Sequence, residues 1–258
     1  MNGAIWVANG KEHIETAIRS SNSYKLLNPG LKTALFTDSE GTYPEFDFQF
    51  AIPDGTLRPK IDMLANTPFE KTIYFDNDTL ILKNLDPAYE LLDNCDIAGC
   101  QVLLWHRPRH NKKVRVAVPT FFPEINCGVL VYKKSNRTTA FIKKWSSEFK
   151  KAGLKTDQTT FRECLWESDL KFLALPEQMN KRLIEGCEVI YSDKPKPYVV
   201  HLPALRPPRN WIRKLQTYLV LWYWTRRVTK YSGTTFCSKS TLKCTMIIII
   251  SSLMIEIF

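Results

Sequence analysis

The chain has 258 residues, of which 44% are hydrophobic and 24% are charged. This composition is typical of a globular protein and excludes a disordered chain, a collagen-like chain and a coiled coil. A chain of this length forms one domain or two closely joined domains, and it can bury a sizeable core without disulfides or a structural metal.

The net charge of +10 is concentrated near the C-terminus. Residues 194–258 contain 11 of the 36 basic residues and one of the 26 acidic residues, so residues 1–193 contain 25 of each. We expect residues 206–258 to form a basic, aromatic and apolar extension that contacts an anionic membrane surface. Packing of this extension on the protein body is the alternative. No nucleic-acid motif accompanies the charge, so we expect no nucleic-acid partner.

The cysteine count and the N-terminus indicate a compartment. The seven cysteines include no C-x-x-C pair, which predicts reduced thiols and neither a zinc ribbon nor a redox pair. The first residues lack the basic start and the apolar length of a signal peptide. No segment reaches the ~18–20 apolar residues that a transmembrane helix needs. We therefore expect a cytoplasmic protein that associates with membranes only at their surface.

Short apolar runs alternate with segments of helical periodicity over the first 202 residues. Strands are predicted at 5–8, 34–37, 46–52, 72–75, 96–104, 125–132 and 198–202. Helices are predicted at 11–27, 58–66, 86–94, 136–152 and 157–167. This alternation indicates an α/β domain with a mainly parallel central sheet flanked by helices. In such a sheet, ligands bind at the carboxyl ends of the strands.

The single D-x-D motif of the chain follows the predicted strand 72–75. On an extended chain Asp76 and Asp78 point to one side and Asn77 to the other. Two such carboxylates suit Mn²⁺ or Mg²⁺, which completes its coordination shell with phosphate oxygens and neutralises a departing diphosphate. An acidic turn that only closes a strand is the structural alternative.

Other motifs stand in a fixed order around the D-x-D motif: residues 58–60 (Arg-Pro-Lys), 126–128 (Asn-Cys-Gly) and 157–158 (Asp-Gln). Together they resemble the GT-A nucleotide-diphospho-sugar transferases, especially glycosyltransferase family 8, which includes glycogenin and related galactosyltransferases. The resemblance covers residues 4 to about 202. It implies a Rossmann-like GT-A domain in residues 1–205 that transfers a sugar from a nucleotide-diphosphate sugar to an acceptor hydroxyl, with retention of configuration preferred.

The resemblance also implies a site for Mn²⁺ or Mg²⁺ formed by Asp76, Asp78 and His201. In the family the histidine begins the pattern H-x-x-G-x-x-K-P-W. Here Ala204 replaces the glycine, and Arg206 stands one residue before the position of the family lysine. Because guanidinium groups bind phosphate well, we expect Arg206 to contact the donor diphosphate.

The remaining site residues are also implied by the resemblance. Asp157 and Gln158 are the implied catalytic residues beside the donor sugar, although an N-cap at Thr156 or Asp157 is the structural alternative. The residues implied in nucleotide-sugar binding are Val7, Ala8, Asn9, Lys60, Asn77, Asp96, Asn126, Cys127, Gly128 and Arg206.

Two other functions stay open at this point. A sugar nucleotidyltransferase should carry a glycine-rich phosphate loop after the first strand, where this chain has only Gly10. A non-catalytic sugar- or membrane-binding protein could keep the same fold; the intact Asp76, Asp78 and Asp157 argue against it, and the imperfect match around His201 argues for it. The acceptor, whether glycan, lipid or protein, is not identified, and we expect its recognition in the loop 105–123.

Overall fold

A computed structural model of the chain describes residues 1–102, 112–182 and 197–202. The strands are β1 (Asn2–Ala8), β2 (Lys32–Thr37), β3 (Phe48–Ala51), β4 (Lys71–Phe75), β5 (Thr79–Ile81), β6 (Ile97–Gln101), β7 (Ile125–Lys133), β8 (Phe172–Leu175), β9 (Lys181–Arg182) and β10 (Val199–His201). The α-helices are α1 (Lys11–Leu27), α2 (Pro59–Leu64), α3 (Asp86–Glu90), α4 (Asn136–Ala152) and α5 (Gln158–Trp166). Short 3₁₀ helices cover Leu91–Asp93 and Glu177–Asn180. Among the described residues, no helix combines the length and the hydrophobicity needed to cross a membrane.

A seven-stranded sheet forms the centre of the fold, in the order β3-β2-β1-β4-β7-β6-β8. Neighbouring strands from β3 to β4 are parallel, as are β6 and β8, whereas β7 is antiparallel to both of its neighbours. The predicted mainly parallel sheet is therefore confirmed. The reversed direction of β7 brings the start of that strand to the carboxyl end of β4, where Val129 pairs with Phe75.

A second sheet of three strands lies after β4, in the order β5-β10-β9. His201 of β10 pairs with Thr79 of β5 and with Arg182 of β9. The sequence predicts β10 but misses β5, β8 and β9. These strands have two to four residues, too few to show a periodic pattern, and they are held by partners distant in the sequence.

Two hydrophobic clusters cover the two faces of the central sheet. In the first, the rings of Trp6 and Phe75 stack with centroids 5.3 Å apart, and the ring of Tyr24 from α1 meets Trp6 edge-on. In the second, Trp145 of α4 meets Phe161 of α5 with centroids 4.8 Å apart. Because adjacent strand residues point to opposite faces, helices on both sides complete the predicted layered α/β arrangement.

Helix α4 illustrates how the local sequence sets an element. Phe141, Trp145 and Phe149 recur every four residues and are buried, as their spacing predicts. The Ser135 hydroxyl accepts a hydrogen bond from the backbone N–H of Thr138 and caps the start of the helix. Gly153 follows the last turn with φ 59°, a left-handed conformation that glycine adopts without strain. The helix therefore has the bounds that the sequence predicts.

The lengths of some predicted elements change. The predicted helix 86–94 is α-helical only to Glu90 and continues as a 3₁₀ turn. The predicted strand 96–104 ends at Gln101 after a register shift at Gly99, and its last two residues lie outside the described ranges. The cysteines 95, 100, 127 and 164, which fall in those ranges, are buried with free thiols.

The side chain of Asp47, which directly precedes β3, binds the first two residues of β2. The carboxylate of Asp47 accepts hydrogen bonds from the Lys32 ammonium and from the backbone N–H and hydroxyl of Thr33, each at 2.9 Å. Burial by itself raises the pKa of Asp47, but these donors outweigh burial and lower that pKa to about 2. The folded state therefore favours the ionised carboxylate, and the resulting stabilisation is lost as the pH falls toward that value.

We predict that Asp47→Asn lowers the free energy of unfolding at neutral pH by about 1 kcal/mol, because the charged hydrogen bonds are lost. The difference between the variant and the parent should vanish as the pH falls from about 4 to about 2, where the parent carboxylate becomes protonated. Urea unfolding across this range measures both effects. Asp54→Asn, which changes an exposed carboxylate, is the control; equal behaviour of the two variants would contradict the prediction.

Candidate functional site

The D-x-D motif lies in a tight turn at the carboxyl end of β4. The backbone N–H of Thr79 donates to the Asp76 carbonyl at 3.2 Å, and the backbone N–H of Asp76 donates to the Gly128 carbonyl at 2.7 Å. The motif is thus held between β4, β5 and β7. The prediction that strand alternation aligns Asp76 and Asp78 is wrong in its cause, because the chain turns here, yet the two carboxylates do converge.

A histidine that is distant in the sequence completes this group. Since His201 pairs with Thr79 across the three-stranded sheet, its ring is carried to the D-x-D turn. One ligand atom each from Asp76, Asp78 and His201 lie within 4.8 Å of one another. His201 Nε2 is 3.1 Å from Asp78 Oδ1 and 3.8 Å from Asp76 Oδ2. The structure therefore brings together the three residues that the family resemblance implies as metal ligands.

The chemistry of this group fits a divalent cation. His201 is only 3% exposed, and its Nε2 makes no hydrogen bond with any part of the chain that the structure describes. A neutral imidazole nitrogen in this position would be stabilised by a cation shared with the two carboxylates, because an unpaired polar atom in the interior is costly. Two carboxylates and one imidazole offer oxygen and nitrogen together, which suits Mn²⁺ better than Mg²⁺.

Two cationic side chains from the start of α2 share the site. Lys60 Nζ lies 2.8 Å from Asp76 Oδ1 and 3.7 Å from Asp157 Oδ2. Arg58 Nη2 donates to Asp157 Oδ2 at 3.0 Å, and the Tyr74 hydroxyl donates to Asp76 Oδ1 at 2.6 Å. One oxygen of Asp76 is therefore occupied by Lys60 and Tyr74, and its other oxygen is the one that faces the imidazole.

These ion pairs keep both partners charged. Burial alone raises the pKa of Asp157, but the charges of Lys60 and Arg58 outweigh burial and lower that pKa below its ordinary value. Burial alone lowers the pKa of Lys60, but Asp157 and Asp76 reverse the effect and raise it. Asp76 and Asp157 therefore share Lys60 as a common cation.

Asp157 is turned into the site and away from its own helix. It precedes α5, but its side chain makes no capping hydrogen bond, so the structural alternative of a side-chain cap does not hold for this residue. Its carbonyl accepts a hydrogen bond from the Trp145 indole at 3.1 Å, which ties it to α4. Gln158 is the first residue of α5 and is half-buried. Asp157, the first residue of the predicted catalytic pair, thus contacts Lys60.

The first strand ends beside the D-x-D turn. Val7 and Ala8 are buried at the carboxyl end of β1, and Asn9 is exposed in the turn that follows. The Asn77 amide donates to the Val7 carbonyl at 3.0 Å. Asn77 therefore joins the D-x-D turn to β1, which brings the residues predicted to bind the nucleotide to the same edge of the sheet as the candidate metal ligands.

Residues 126–128, at the start of β7, line another side of the candidate site. Asn126 is 7% exposed, and its side-chain oxygen accepts the backbone N–H of Gly128 at 3.0 Å. Cys127 is fully buried, and burial, with Asp157 nearby, raises the pKa of its thiol well above the ordinary value. A Cβ atom on Gly128 would lie 2.5 Å from His201 Cε1. The space beside this glycine is therefore filled by the imidazole.

One predicted site residue, Asp96, lies away from the group. Asp96 contacts Lys133 Nζ at 3.1 Å and accepts the backbone N–H of Lys171 at 2.8 Å. Since Lys133 pairs with Lys71 at the far end of β4, Asp96 lies at the end of the sheet opposite to the D-x-D turn, away from the other predicted sugar-binding residues that the structure describes. It is an ion-paired anchor between strands. Arg206 lies outside the described residues.

Three contacts at the site were missed in the sequence. Arg58 stands two residues before Lys60 in the same Arg-Pro-Lys motif, so its position already suggested a shared target. Tyr74 lies two residues before Asp76, a spacing that predicts a common face of β4. Asn180, whose Oδ1 lies 3.2 Å from His201 Nδ1, carries no sequence signal, because the two residues are 21 positions apart.

Helix α5 also holds the described part of the predicted acceptor loop. The Arg162 guanidinium, which is 1% exposed, donates to the carbonyls of Phe122 at 2.7 Å and Pro119 at 2.8 Å. The Glu163 carboxylate accepts the backbone N–H of Val114 at 2.7 Å. Because α5 begins at Gln158, one rigid element fixes both this loop and the predicted catalytic residues.

Comparison with known proteins identifies the family of this chain. The sequence model of the family described as nucleotide-diphospho-sugar transferase matches residues 33–207, more than half of the chain. None of the curated protein sequences compared with this chain matches it.

Several solved structures share the fold at low sequence identity. The galactosyltransferase LgtC, in complex with donor and acceptor sugar analogues, superposes with a TM-score of 0.57 at 14% identity over 93% of this chain and 98% of its own. Mouse xyloside xylosyltransferase 1 gives 0.54 at 14% identity, over 81% and 100% of the two chains. The glycosyltransferase GlyE of Streptococcus pneumoniae gives 0.57 at 15% identity, over 90% and 63%. These similarities confirm the GT-A fold.

We predict that Lys60→Met lowers the free energy of unfolding by about 2 to 3 kcal/mol in metal-free buffer, because the buried Asp157 and the partly buried Asp76 lose their shared cation. Lys143→Met, on the exposed side of α4, is the matched control and should change stability by less than about 0.5 kcal/mol. Chemical unfolding of the two variants decides the matter. A loss no larger than that of the control would show that the ion pairs of Lys60 contribute nothing to the folded state.

Proposed function

Because the chain belongs to the nucleotide-diphospho-sugar transferase family, and is on that ground a glycosyltransferase, we propose that it is a metal-dependent enzyme of this class. It transfers a sugar from a nucleotide-diphosphate sugar to an acceptor hydroxyl. The observation that carries the proposal is the group of Asp76, Asp78 and His201, in which the buried His201 Nε2 faces two carboxylates without a hydrogen bond to the described residues. A sugar nucleotidyltransferase is disfavoured by the family match.

In this proposal, the bound metal ion and two basic residues contact the diphosphate of the donor. A divalent cation, Mn²⁺ in preference to Mg²⁺, would supply positive charge to the departing diphosphate when it is held by Asp76, Asp78 and His201. Lys60 places a second, permanent positive charge at the same edge of the sheet, where it can bind a phosphate oxygen. Arg206 keeps its proposed role at the diphosphate on the strength of the family resemblance alone.

The nucleoside and the sugar have separate surfaces in this proposal. Val7, Ala8 and Asn9 at the end of β1 contact the nucleoside, and Asn77 holds the D-x-D turn against that strand. The sugar lies between residues 126–128 of β7 and the start of α5. A buried amide such as that of Asn126 can both donate to and accept from sugar hydroxyls.

The ion pairs of Asp157 support retention of configuration. An inverting enzyme needs a carboxylate that accepts the proton of the attacking hydroxyl. Asp157 is bound by both Arg58 and Lys60, and a carboxylate paired with two cations is a weak base. We therefore propose that Asp157 and Gln158 position the donor sugar and stabilise positive charge at the anomeric carbon, without accepting that proton.

A donor screen tests the proposal directly. The full chain is incubated with Mn²⁺ and a panel of nucleotide-diphosphate sugars without acceptor, and binding and slow hydrolysis are followed. We expect one donor to bind and to release free nucleotide diphosphate in a chelator-sensitive reaction. NMR of the released sugar, recorded before it mutarotates, should show the anomer of the donor; the opposite anomer would contradict retention. A folded protein that binds no donor would support the non-catalytic alternative.

We predict that Asp78→Asn reduces donor hydrolysis by more than about 100-fold, because a metal ligand loses its charge. The variant should remain folded, since asparagine keeps the size and shape of the aspartate side chain. Asp169→Asn, at an exposed carboxylate that pairs with Arg137, should leave hydrolysis unchanged. Full activity of Asp78→Asn would refute the assigned metal site.

The C-terminal segment supports a proposal of a different kind. We propose that residues 1–205 form the transferase domain and that residues 206–258, with their basic and aromatic composition, bind an anionic membrane surface near the acceptor. Lys and Arg near such a surface contribute about 1 kcal/mol each.

We predict that a triple charge reversal of Arg226, Arg227 and Lys230 to Glu weakens binding to phosphatidylserine-containing vesicles by at least about tenfold. The matched control reverses Lys11, Lys143 and Lys155, which are exposed on the protein body, and changes the net charge equally. Co-sedimentation of the full chain with vesicles measures both. An equal loss of vesicle binding in the two triple variants would show that net charge alone causes the binding. No loss in either variant would contradict the proposal that residues 206–258 bind a membrane surface.

A further inference from the structure

We propose that Asn180 is a positioning residue that fixes the tautomer of His201 and thereby sets the affinity of the site for its divalent cation. This inference rests on the proposed function, because it requires His201 to be a metal ligand. Asn180 ends the 3₁₀ helix before β9, is 4% exposed, and lies outside every motif that the sequence analysis identified.

The orientation of the Asn180 amide follows from its two neighbours. Its nitrogen Nδ2 donates to the backbone carbonyl of Asn126 at 3.4 Å. Because a carbonyl oxygen only accepts, the NH₂ group must be the end that faces Asn126, and Oδ1 must be the end that faces His201. Oδ1 lies 3.2 Å from His201 Nδ1. The amide is thus fixed between β7 and β10.

This orientation decides which nitrogen of His201 carries the proton. An amide oxygen cannot donate, so His201 Nδ1 must carry hydrogen and donate it to Asn180. In the neutral ring the lone pair is then on Nε2, the nitrogen that lies 3.1 Å from Asp78 Oδ1. Lone pairs of nitrogen and carboxylate oxygen face each other here, an arrangement that a shared metal ion stabilises.

Gly128 lies against the Cε1–Nδ1 edge of the imidazole ring. A Cβ atom at this position would approach His201 Cε1 to 2.5 Å and Nδ1 to 2.7 Å, so any side chain here would displace the ring. The backbone of His201 is fixed by its pairing with β5 and β9. The imidazole ring is therefore held in one orientation, in which Nδ1 contacts Asn180 and Nε2 faces the carboxylates of Asp76 and Asp78. Preorganisation of this kind strengthens binding because the ligand needs no rearrangement.

The test measures Mn²⁺ binding by the full chain without any nucleotide sugar, from the electron paramagnetic resonance signal of free Mn²⁺. Asn180→Leu keeps the volume but removes the acceptor, and it should raise the dissociation constant about 10- to 100-fold. Asn180→Asp keeps an oxygen acceptor for Nδ1–H and should stay within about threefold of the parent. Asn28→Leu is the matched control, because Asn28 is buried and its amide holds the backbone of Leu85 and Tyr24; it should lower thermal stability and leave Mn²⁺ binding unchanged.

A second background separates positioning from a general structural role. With His201→Ala already in place, Asn180→Leu should weaken Mn²⁺ binding no further, because its whole effect passes through the imidazole. If Asn180→Leu fails to fold, Asn180→Ser, whose hydroxyl is too short to reach His201, replaces it in both backgrounds. Additive losses in the double variant would overturn the inference.

Different results would contradict the role of Asn180 and the proposed metal site. If Asp78→Asn and His201→Ala leave Mn²⁺ binding unchanged, the proposed metal site itself is wrong, and the inference falls with it. If these variants weaken binding but Asn180→Leu does not, only the role of Asn180 is overturned. Loss of binding in Asn180→Leu with rescue in Asn180→Asp supports both.

Discussion

The structure depends on one electrostatic constraint: three carboxylates, two of them buried and one partly buried, lie close together at the carboxyl end of the central sheet. Asp76, Asp78 and Asp157 repel one another where little water is present, and each must be compensated. Lys60 and Arg58 from the start of α2 compensate part of this charge through direct ion pairs. Asp78 and the second oxygen of Asp76 face His201 Nε2, which makes no hydrogen bond among the described residues, and this is the place where we propose that a divalent cation binds.

The topology of two sheets satisfies this constraint. Reversal of β7 places the Gly128 carbonyl where it accepts the Asp76 N–H, and the same reversal aligns the glycine with the imidazole ring. Pairing of β10 with β5 then carries His201 to the turn that contains Asp78. Neither strand pairing has a local cause: each follows from burying apolar residues on both faces of the sheet and from satisfying backbone hydrogen bonds.

Helix α5 connects the donor side of the site to the acceptor side. Its first turn lies beside Asp157, and its second carries Arg162, whose guanidinium is buried against the carbonyls of the loop before β7. A buried arginine that donates to several carbonyls holds a loop rigidly, because each lost bond would leave a buried polar group unpaired. The conformation of the described part of the loop, in which Phe121 is 91% exposed, is therefore coupled to the position of the predicted catalytic residues.

The sequence by itself determined the elements whose signals are local. The spacing of Phe141, Trp145 and Phe149 defines α4, and the apolar runs define β1, β2, β4 and β7 to within a few residues. The D-x-D motif and the family resemblance also predict that Asp76, Asp78 and His201 form one group. The tertiary structure alone decided that Asp96 anchors the far end of the sheet, that Asp157 is held by Arg58, and that Asn180 meets His201. These three contacts join residues far apart in the chain, and their partners are chosen by strand register and burial, which no periodicity within a single segment records.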